Sequence, residues 1–191
     1  MMKNTIQDLI LENIETNTAL LDERSVRAIA QAAGAIIRSL KKGGKVILFG
    51  NGGSASDSQH IAAELVGRFQ KERKALPAIA LTTNTSIITA IANDYGYDTV
   101  FTRQIDALGR KGDIAIGIST SGSSPNVISA IKSARKSGLT TIALAGGSSG
   151  SKLAKSAALS IVVPVKKTAR VQEAHALIGH IICELVESGI A

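Results

Sequence analysis

The chain of 191 residues has one cysteine, three prolines and 3% aromatic residues, and each scarcity closes off a class of protein. The lone Cys183 can form neither an internal disulfide nor a CxxC metal knuckle. That suits a reducing compartment, so a cytoplasmic address is expected, and any metal must use other ligands. Few aromatic rings leave few platforms on which single-stranded bases could stack. No apolar run of about 18 residues is available to span a bilayer. The first twenty residues interleave Lys3, Asp8, Glu12 and Glu15 with apolar ones, unlike a signal peptide. The Gly-Lys-Ser/Thr signature of a nucleotide triphosphate cradle is missing, and no helix-turn-helix segment precedes or follows the strands to read DNA. No linker rich in Pro or Gly, internal repeat or charge block marks a second domain, so residues 1–191 are expected to form one.

What is present is ordinary for a globular protein: 45% hydrophobic and 19% charged residues, with 18 glycines. A formal net charge of +7 raises the question of a polyanionic partner. The basic residues, however, come in small groups where elements end: Lys41-Lys42, Lys71 to Lys74, Arg110-Lys111, Lys132 to Lys136 and Lys166-Lys167. Such groups read as a solvated surface with cations near helix C-termini. A small anionic substrate fits the charge; nucleic acid and membrane are not expected as partners.

Five apolar, β-rich runs recur, at 45–50, 77–82, 113–119, 140–145 and 159–165. Between them lie stretches of helical period at 54–69, 85–92, 99–108 and 124–137. Alternation of this kind implies a parallel sheet covered on both faces. The expected fold is therefore an α/β, three-layer α/β/α sandwich with a five-stranded parallel sheet in the flavodoxin-like order 2-1-3-4-5. Residues 3 to 42 add two N-terminal helices, with Asp22 as the N-cap of the second, and 169–187 reads as a long C-terminal helix. Helices outside the alternation must bury their apolar stripes somewhere. The segment 1–42 is expected to make contacts in a homo-oligomer.

Two glycine-serine loops follow strands. Gly50-Asn51-Gly52-Gly53-Ser54 opens a helix whose N-terminal N–H groups make a cradle for phosphate or sugar hydroxyls. Its letters satisfy a loose dinucleotide fingerprint, but the next strand ends in Leu81-Thr82-Thr83, with no acidic residue to hold a ribose. Ser119-Thr120-Ser121-Gly122-Ser123-Ser124-Pro125 opens another helix. One serine there would serve as an N-cap, which leaves the remaining hydroxyls to donate to an anion. In the expected strand order both loops border one crevice. A third segment, 146–151, reads as a turn at its rim.

His60 and Glu64 are spaced i,i+4 and share a helix face, where they can hold one proton or one metal. In the C-terminal helix Gln172 and His180 lie about 12 Å apart along the axis. Coordination of one ion by both then requires Gln172 in or before the first turn, or ligands from different subunits. His175 reads as a wall residue, and Cys183 as a small core residue.

The stretches GNGGSASDSQHIAAELVGRF, AIANDYGYD, STSGSSPN and RVQEAHALIGHIICEL together resemble the sugar isomerase (SIS) domain family over nearly the whole chain. The resemblance implies an aldose-ketose isomerase. Its expected reaction converts sedoheptulose 7-phosphate to D-glycero-D-manno-heptose 7-phosphate through an enediol, the first step of ADP-heptose synthesis for the lipopolysaccharide core. It further implies a homotetramer with active sites near subunit interfaces. By the same likeness Asn51, Gly52, Gly53, Ser54, Glu64, Asn93, Asp94, Ser119, Thr120, Ser121, Ser124 and Gln172 would contact substrate. Glu64 and His180 would be the acid/base pair, and His60, Glu64, Gln172 and His180 would hold one Zn2+ per subunit. Ala169 departs from relatives with an acidic residue before the Arg. The rival within the family is a non-catalytic protein that binds a replication initiator or senses a sugar phosphate; such relatives lack the acid/base pair.

Overall fold

The computed structural model describes residues 2–147 and 151–190. Five strands, β1 (Val46–Gly50), β2 (Ala78–Ala80), β3 (Ile114–Ser119), β4 (Thr140–Gly146) and β5 (Leu159–Val163), form one parallel sheet in the order β2-β1-β3-β4-β5. This is the expected fold and strand order. The one notable shortening is β2, which keeps three residues of the six in its apolar run. It is an edge strand, and short edges limit pairing with other chains.

Alternation along each strand divides the core into two layers. Val46, Leu48, Ile114, Ile116, Ile142, Leu144, Ile161 and Val163 face α2 (Glu23–Lys41), α3 (Gly53–Val66) and α8 (Thr168–Ile190). Ile47, Phe49, Ala115, Ala143 and Ala145 face the other way, onto α5 (Val100–Leu108) and α6 (Pro125–Lys136). The helix α4 (Thr85–Tyr95) lies beside α5 and has no buried residue, and the short α7 (Lys152–Ser156) contributes Leu153 to the second layer.

Asp22 caps α2 as expected, its carboxylate accepting from the N–H groups of Arg24 (3.0 Å) and Ser25 (3.1 Å). The preceding helix α1 (Met2–Thr18) is different in kind. Its Ile6, Leu9, Ile10, Leu11 and Ile14 are all exposed. Polar staples tie it to the start of α8: Arg170 donates to the Leu9 carbonyl (2.6 Å), Asn13 donates to Glu173 (2.6 Å), and Lys167 pairs with Glu12.

His175 is 1% exposed, inside the core rather than on a wall. Burial pushes its imidazole down to about 4 from 6.5, with the Ala145 backbone acting weakly in the other direction. A group whose folded value is depressed takes up its proton first in the unfolded chain, so stability falls as pH drops from about 6.5 toward 4. The expected loss is about 3 kcal/mol. Comparing denaturant unfolding of the parent and His175→Leu across that range should show the parent losing this much more stability than the variant. A pH-independent difference would refute it.

Candidate active site

Both glycine-serine loops leave the carboxyl ends of the neighbouring strands β1 and β3, one crossing toward each layer of helices, as a doubly wound sheet requires. In the first loop Gly52 adopts φ +55°, which lets the chain turn into α3 at Gly53. Asn51 is locked by a reciprocal amide pair with Asn126, both bonds 2.9 Å long, and accepts from the Tyr97 hydroxyl at 3.2 Å. Asn126 is 2% exposed, so the pair joins the two loops from beneath. Neither Asn126 nor Tyr97 was expected. Asn126 stands in the STSGSSPN stretch, but an Asn following a helix-opening Pro reads as an ordinary first-turn residue.

In the second loop Ser124 holds the N-cap position of α6, yet its side chain makes no cap bond. Its hydroxyl turns to Ser119 Oγ instead (2.9 Å), and Ser119 approaches Ser121 Oγ (3.3 Å), which accepts from the Ser123 hydroxyl (2.9 Å). Four serine hydroxyls thus form one connected group at the mouth of β3. Hydroxyls that partner each other can each be redirected to an incoming oxyanion, because a hydroxyl rotor is free to choose its acceptor. Within the rim turn expected at 146–151, residues 148–150 lie outside the described residues.

Asn93 and Asp94 sit near the exposed end of α4. Asn93 donates to the Asp94 carboxylate at 2.8 Å. No hydrogen bond among the described residues links them to either loop.

The histidine and carboxylate candidates meet where α3 and α8 run side by side. A Cβ placed on Gly53 would fall 2.1 Å from Gln172 Nε2, and one on Gly179 would fall 2.9 Å from Ile61. The two helices therefore advance in the same direction, with 53 opposite 172 and 61 opposite 179. This register brings His60 to His180, their Nε2 atoms 2.7 Å apart, and His60 Nε2 to Glu64 Oε1 at 3.5 Å. One ligand atom from each of His60, Glu64 and His180 lies within 4.8 Å of the others, a group able to hold a metal ion. Gln172 enters from the same helix as His180. Its amide lies on Gly53, and it precedes His180 by eight residues of continuous helix, about 12 Å. The structure therefore joins three of the four residues expected around one ion. The fourth, Gln172, has its amide against Gly53 in the first loop.

The surroundings of the three are uneven. The Phe69 ring lies 5.5 Å from that of His180. One turn before His60, Asp57 has an Oδ2 atom buried without a hydrogen-bond partner among the described residues; burial pushes its carboxyl up to about 6, opposed by His60. Cys183 is 1% exposed, and its thiol is pushed up to about 12 by burial and then by the Glu64 charge. It is the core residue its composition implied, too weakly acidic to supply a thiolate. Arg73 corrects the reading of Lys71 to Lys74 as uniformly solvated: its side chain is 9% exposed and paired with the buried Glu187.

Residues 11–146 match the SIS domain family. A curated relative from Aquifex aeolicus (strain VF5), named phosphoheptose isomerase, is 53% identical over 186 residues, covering 97% of this chain and 96% of the relative. One of the same name from Sulfurimonas denitrificans is 49% identical over 190 residues, covering 99% and 97%. Among solved structures, phosphoheptose isomerase GmhA from Neisseria gonorrhoeae superposes with a TM-score of 0.91 at 41% identity, covering 98% of this chain and all of that one.

Proposed function

The chain belongs to the SIS domain family, and from that premise we propose that it is an aldose-ketose isomerase interconverting sedoheptulose 7-phosphate and D-glycero-D-manno-heptose 7-phosphate. The observation that carries the reading is the meeting of Glu64 and His180, from helices 116 residues apart in sequence, beside His60. Isomerisation needs a base that removes a proton from C1 of the ketose and returns it to C2. It also needs a group that moves a proton from the O1 side to the O2 side of the enediol. In this reading the Glu64 carboxylate handles the carbon-bound proton and the His180 imidazole the oxygen-bound one. A family member that only binds an initiator or senses a sugar phosphate has no use for that pair.

Distance supports the substrate. From Gly53, at the anion cradle, to His60 is seven residues of helix, about 10 Å. The eight bonds from C1 of a heptose to its 7-phosphorus span about 9–10 Å when extended, taking roughly 1.2 Å of reach per bond. The phosphate would sit where the first loop meets the hydroxyls of Ser119, Thr120, Ser121 and Ser124, with C1 and C2 toward His60 and the Glu64 and His180 side chains grouped with it. Asn51, Gly52, Gly53, Ser54 and Gln172 then line the chain between, and Asn93 and Asp94 complete the contacts from α4.

The donor set of His60, Glu64 and His180 fits zinc, which takes imidazole nitrogen and carboxylate oxygen. At 2.7 Å one imidazole must donate to the other, and a bound cation would take the place of that shared proton. When bound there, zinc would polarise a sugar oxygen and so acidify the neighbouring carbon. Gln172, whose amide lies on Gly53, would contact substrate and, with its side chain turned toward the histidines, would be the fourth ligand. The exposed apolar residues of α1 support a homotetramer in which a second copy covers them. The buried lone thiol is compatible with the cytoplasm, where ADP-heptose precursors of the lipopolysaccharide core would begin.

The test is direct. Purified protein given sedoheptulose 7-phosphate should form the aldoheptose phosphate, with activity lost on chelation and restored by Zn2+. Absence of conversion under all conditions would sink the isomerase reading. Full activity after exhaustive chelation would sink the metal's part in it and leave the isomerase standing.

A further inference from the structure

The separation of Glu64 and His180 is a relation between two helices, so something must hold α3 and α8 at one offset. Ile61 against Gly179 does so midway. Beyond the pair, at the C-terminal ends of both helices, lies an ion pair that the reaction itself does not use. Glu187 of α8 is 2% exposed, and its Oε1 stands 3.2 Å from Arg73 Nε. The same carboxylate accepts from three successive backbone N–H groups of the segment after α3: Phe69 (3.1 Å), Gln70 (2.9 Å) and Lys71 (2.8 Å). Although burial alone raises it, these bonds and Arg73 hold the carboxyl below the ordinary glutamate range.

Arg73 closes the other half. Its Nη2 donates to the backbone carbonyl of Glu64 at 2.8 Å, and its Nη1 to those of Leu65 (2.9 Å), Gly67 (3.1 Å) and Lys74 (3.1 Å). The carbonyls of a helix's last turn have no partner within the helix, and the guanidinium's rigid fork suits several at once. The fork therefore grips α3 at Glu64 itself. On the other side, the Phe69 backbone bound to Glu187 sets the Phe69 ring against the His180 ring.

We propose that Arg73 and Glu187 are positioning residues for the isomerase centre. One buried ion pair, touching neither substrate nor reacting atoms, fixes Glu64 through its main chain and His180 through Phe69. This rests on the reading of Glu64 and His180 as the acid/base pair. The anion cradle lies at the opposite end of α3, so loss of the pair disturbs the chemical step and the metal group while leaving phosphate binding intact.

Arg73→Met alone leaves a buried carboxylate without its cation, which endangers folding. The informative protein is therefore the double variant Arg73→Met/Glu187→Gln, with Arg73→Lys beside it. For the folded double variant, kcat on sedoheptulose 7-phosphate is expected to fall about 10–100-fold, as for other groups that orient metal and catalytic ligands, with KM within about twofold. Affinity for Co2+, read by competition with a coloured chelator, should fall by a similar factor. The ring-current shift that Phe69 imposes on the His180 imidazole protons should collapse in the proton NMR spectrum. Arg73→Lys, which keeps the charge and loses the fork, should not restore kcat. A folded double variant with parental kcat, Co2+ affinity and His180 shift would overturn the proposal, as would full rescue by lysine. Glu64→Gln assayed alongside separates the two failures. If it keeps parental activity, the acid/base assignment has failed, and the Co2+ and NMR readouts still decide whether the ion pair positions the three side chains.

Discussion

Glu64→Gln is expected to stop exchange of the substrate's carbon-bound proton with solvent and to lower kcat by on the order of 10^2- to 10^4-fold, the usual contribution of one positioned base. The substitution is isosteric, and the Glu64 side chain is 23% exposed with His60 Nε2 3.5 Å from its carboxylate. The main-chain carbonyl gripped by Arg73 is unchanged. Circular dichroism and thermal unfolding should therefore stay close to the parent, and loss of activity can be read as loss of a proton acceptor. The decisive assay runs the variant on sedoheptulose 7-phosphate in D2O and follows deuterium at C1 and C2. Exchange at the parental rate would remove Glu64 from the role. Metal content measured on the same sample separates loss of the base from loss of a ligand.

The second large effect is expected at Gly146, the last residue of β4. A Cβ there would sit 2.3 Å from the Thr120 carbonyl oxygen and 2.8 Å from both methyls of Val171. Neither neighbour is a flexible tip: one is the main chain of the serine loop, the other a fully buried residue in the first turn of α8. Gly146→Ala should cost about 1–3 kcal/mol of stability through overpacking. It should also push Thr120 and the adjoining hydroxyls out of place, raising KM for the sugar phosphate about tenfold, the equivalent of about 1.4 kcal/mol. The neighbour supplies the control. Gly147 has φ +90° with nothing within 4 Å of a Cβ, so Gly147→Ala carries backbone strain of roughly 1 kcal/mol without displacing the loop. Equal KM values for the two alanine variants would remove the serine loop from phosphate binding.

Much of this architecture is legible from local chemistry. Apolar β-rich runs separated by helical periods imply a parallel doubly wound sheet, because only that arrangement buries such strands on both faces, and the five strands fall where the runs do. Asp22 caps α2 because a short carboxylate satisfies orphan N–H groups wherever it precedes a helix. His60 and Glu64 adjoin by helix spacing alone. Ser124 shows the limit of the same logic. Its position is that of a cap, but whether its hydroxyl caps α6 or turns to Ser119 depends on what β3 presents opposite it.

The sequence by itself determined the elements, their order, the two glycine-serine loops and the His60–Glu64 half of the histidine–carboxylate group, since all of these follow from periodicity, spacing and turn chemistry within a few residues. Only the tertiary structure decided that α3 and α8 run alongside each other with 60 opposite 180, that the Gln172 amide lies over Gly53, and that Asn126 locks Asn51. It also turned Arg73, one cation in a run that looks solvated, into a buried partner of Glu187. These are relations between residues 75 to 120 positions apart. Nothing in local propensity encodes them: they arise when two helices pack on one face of a sheet and each side chain takes the partner that burial leaves it.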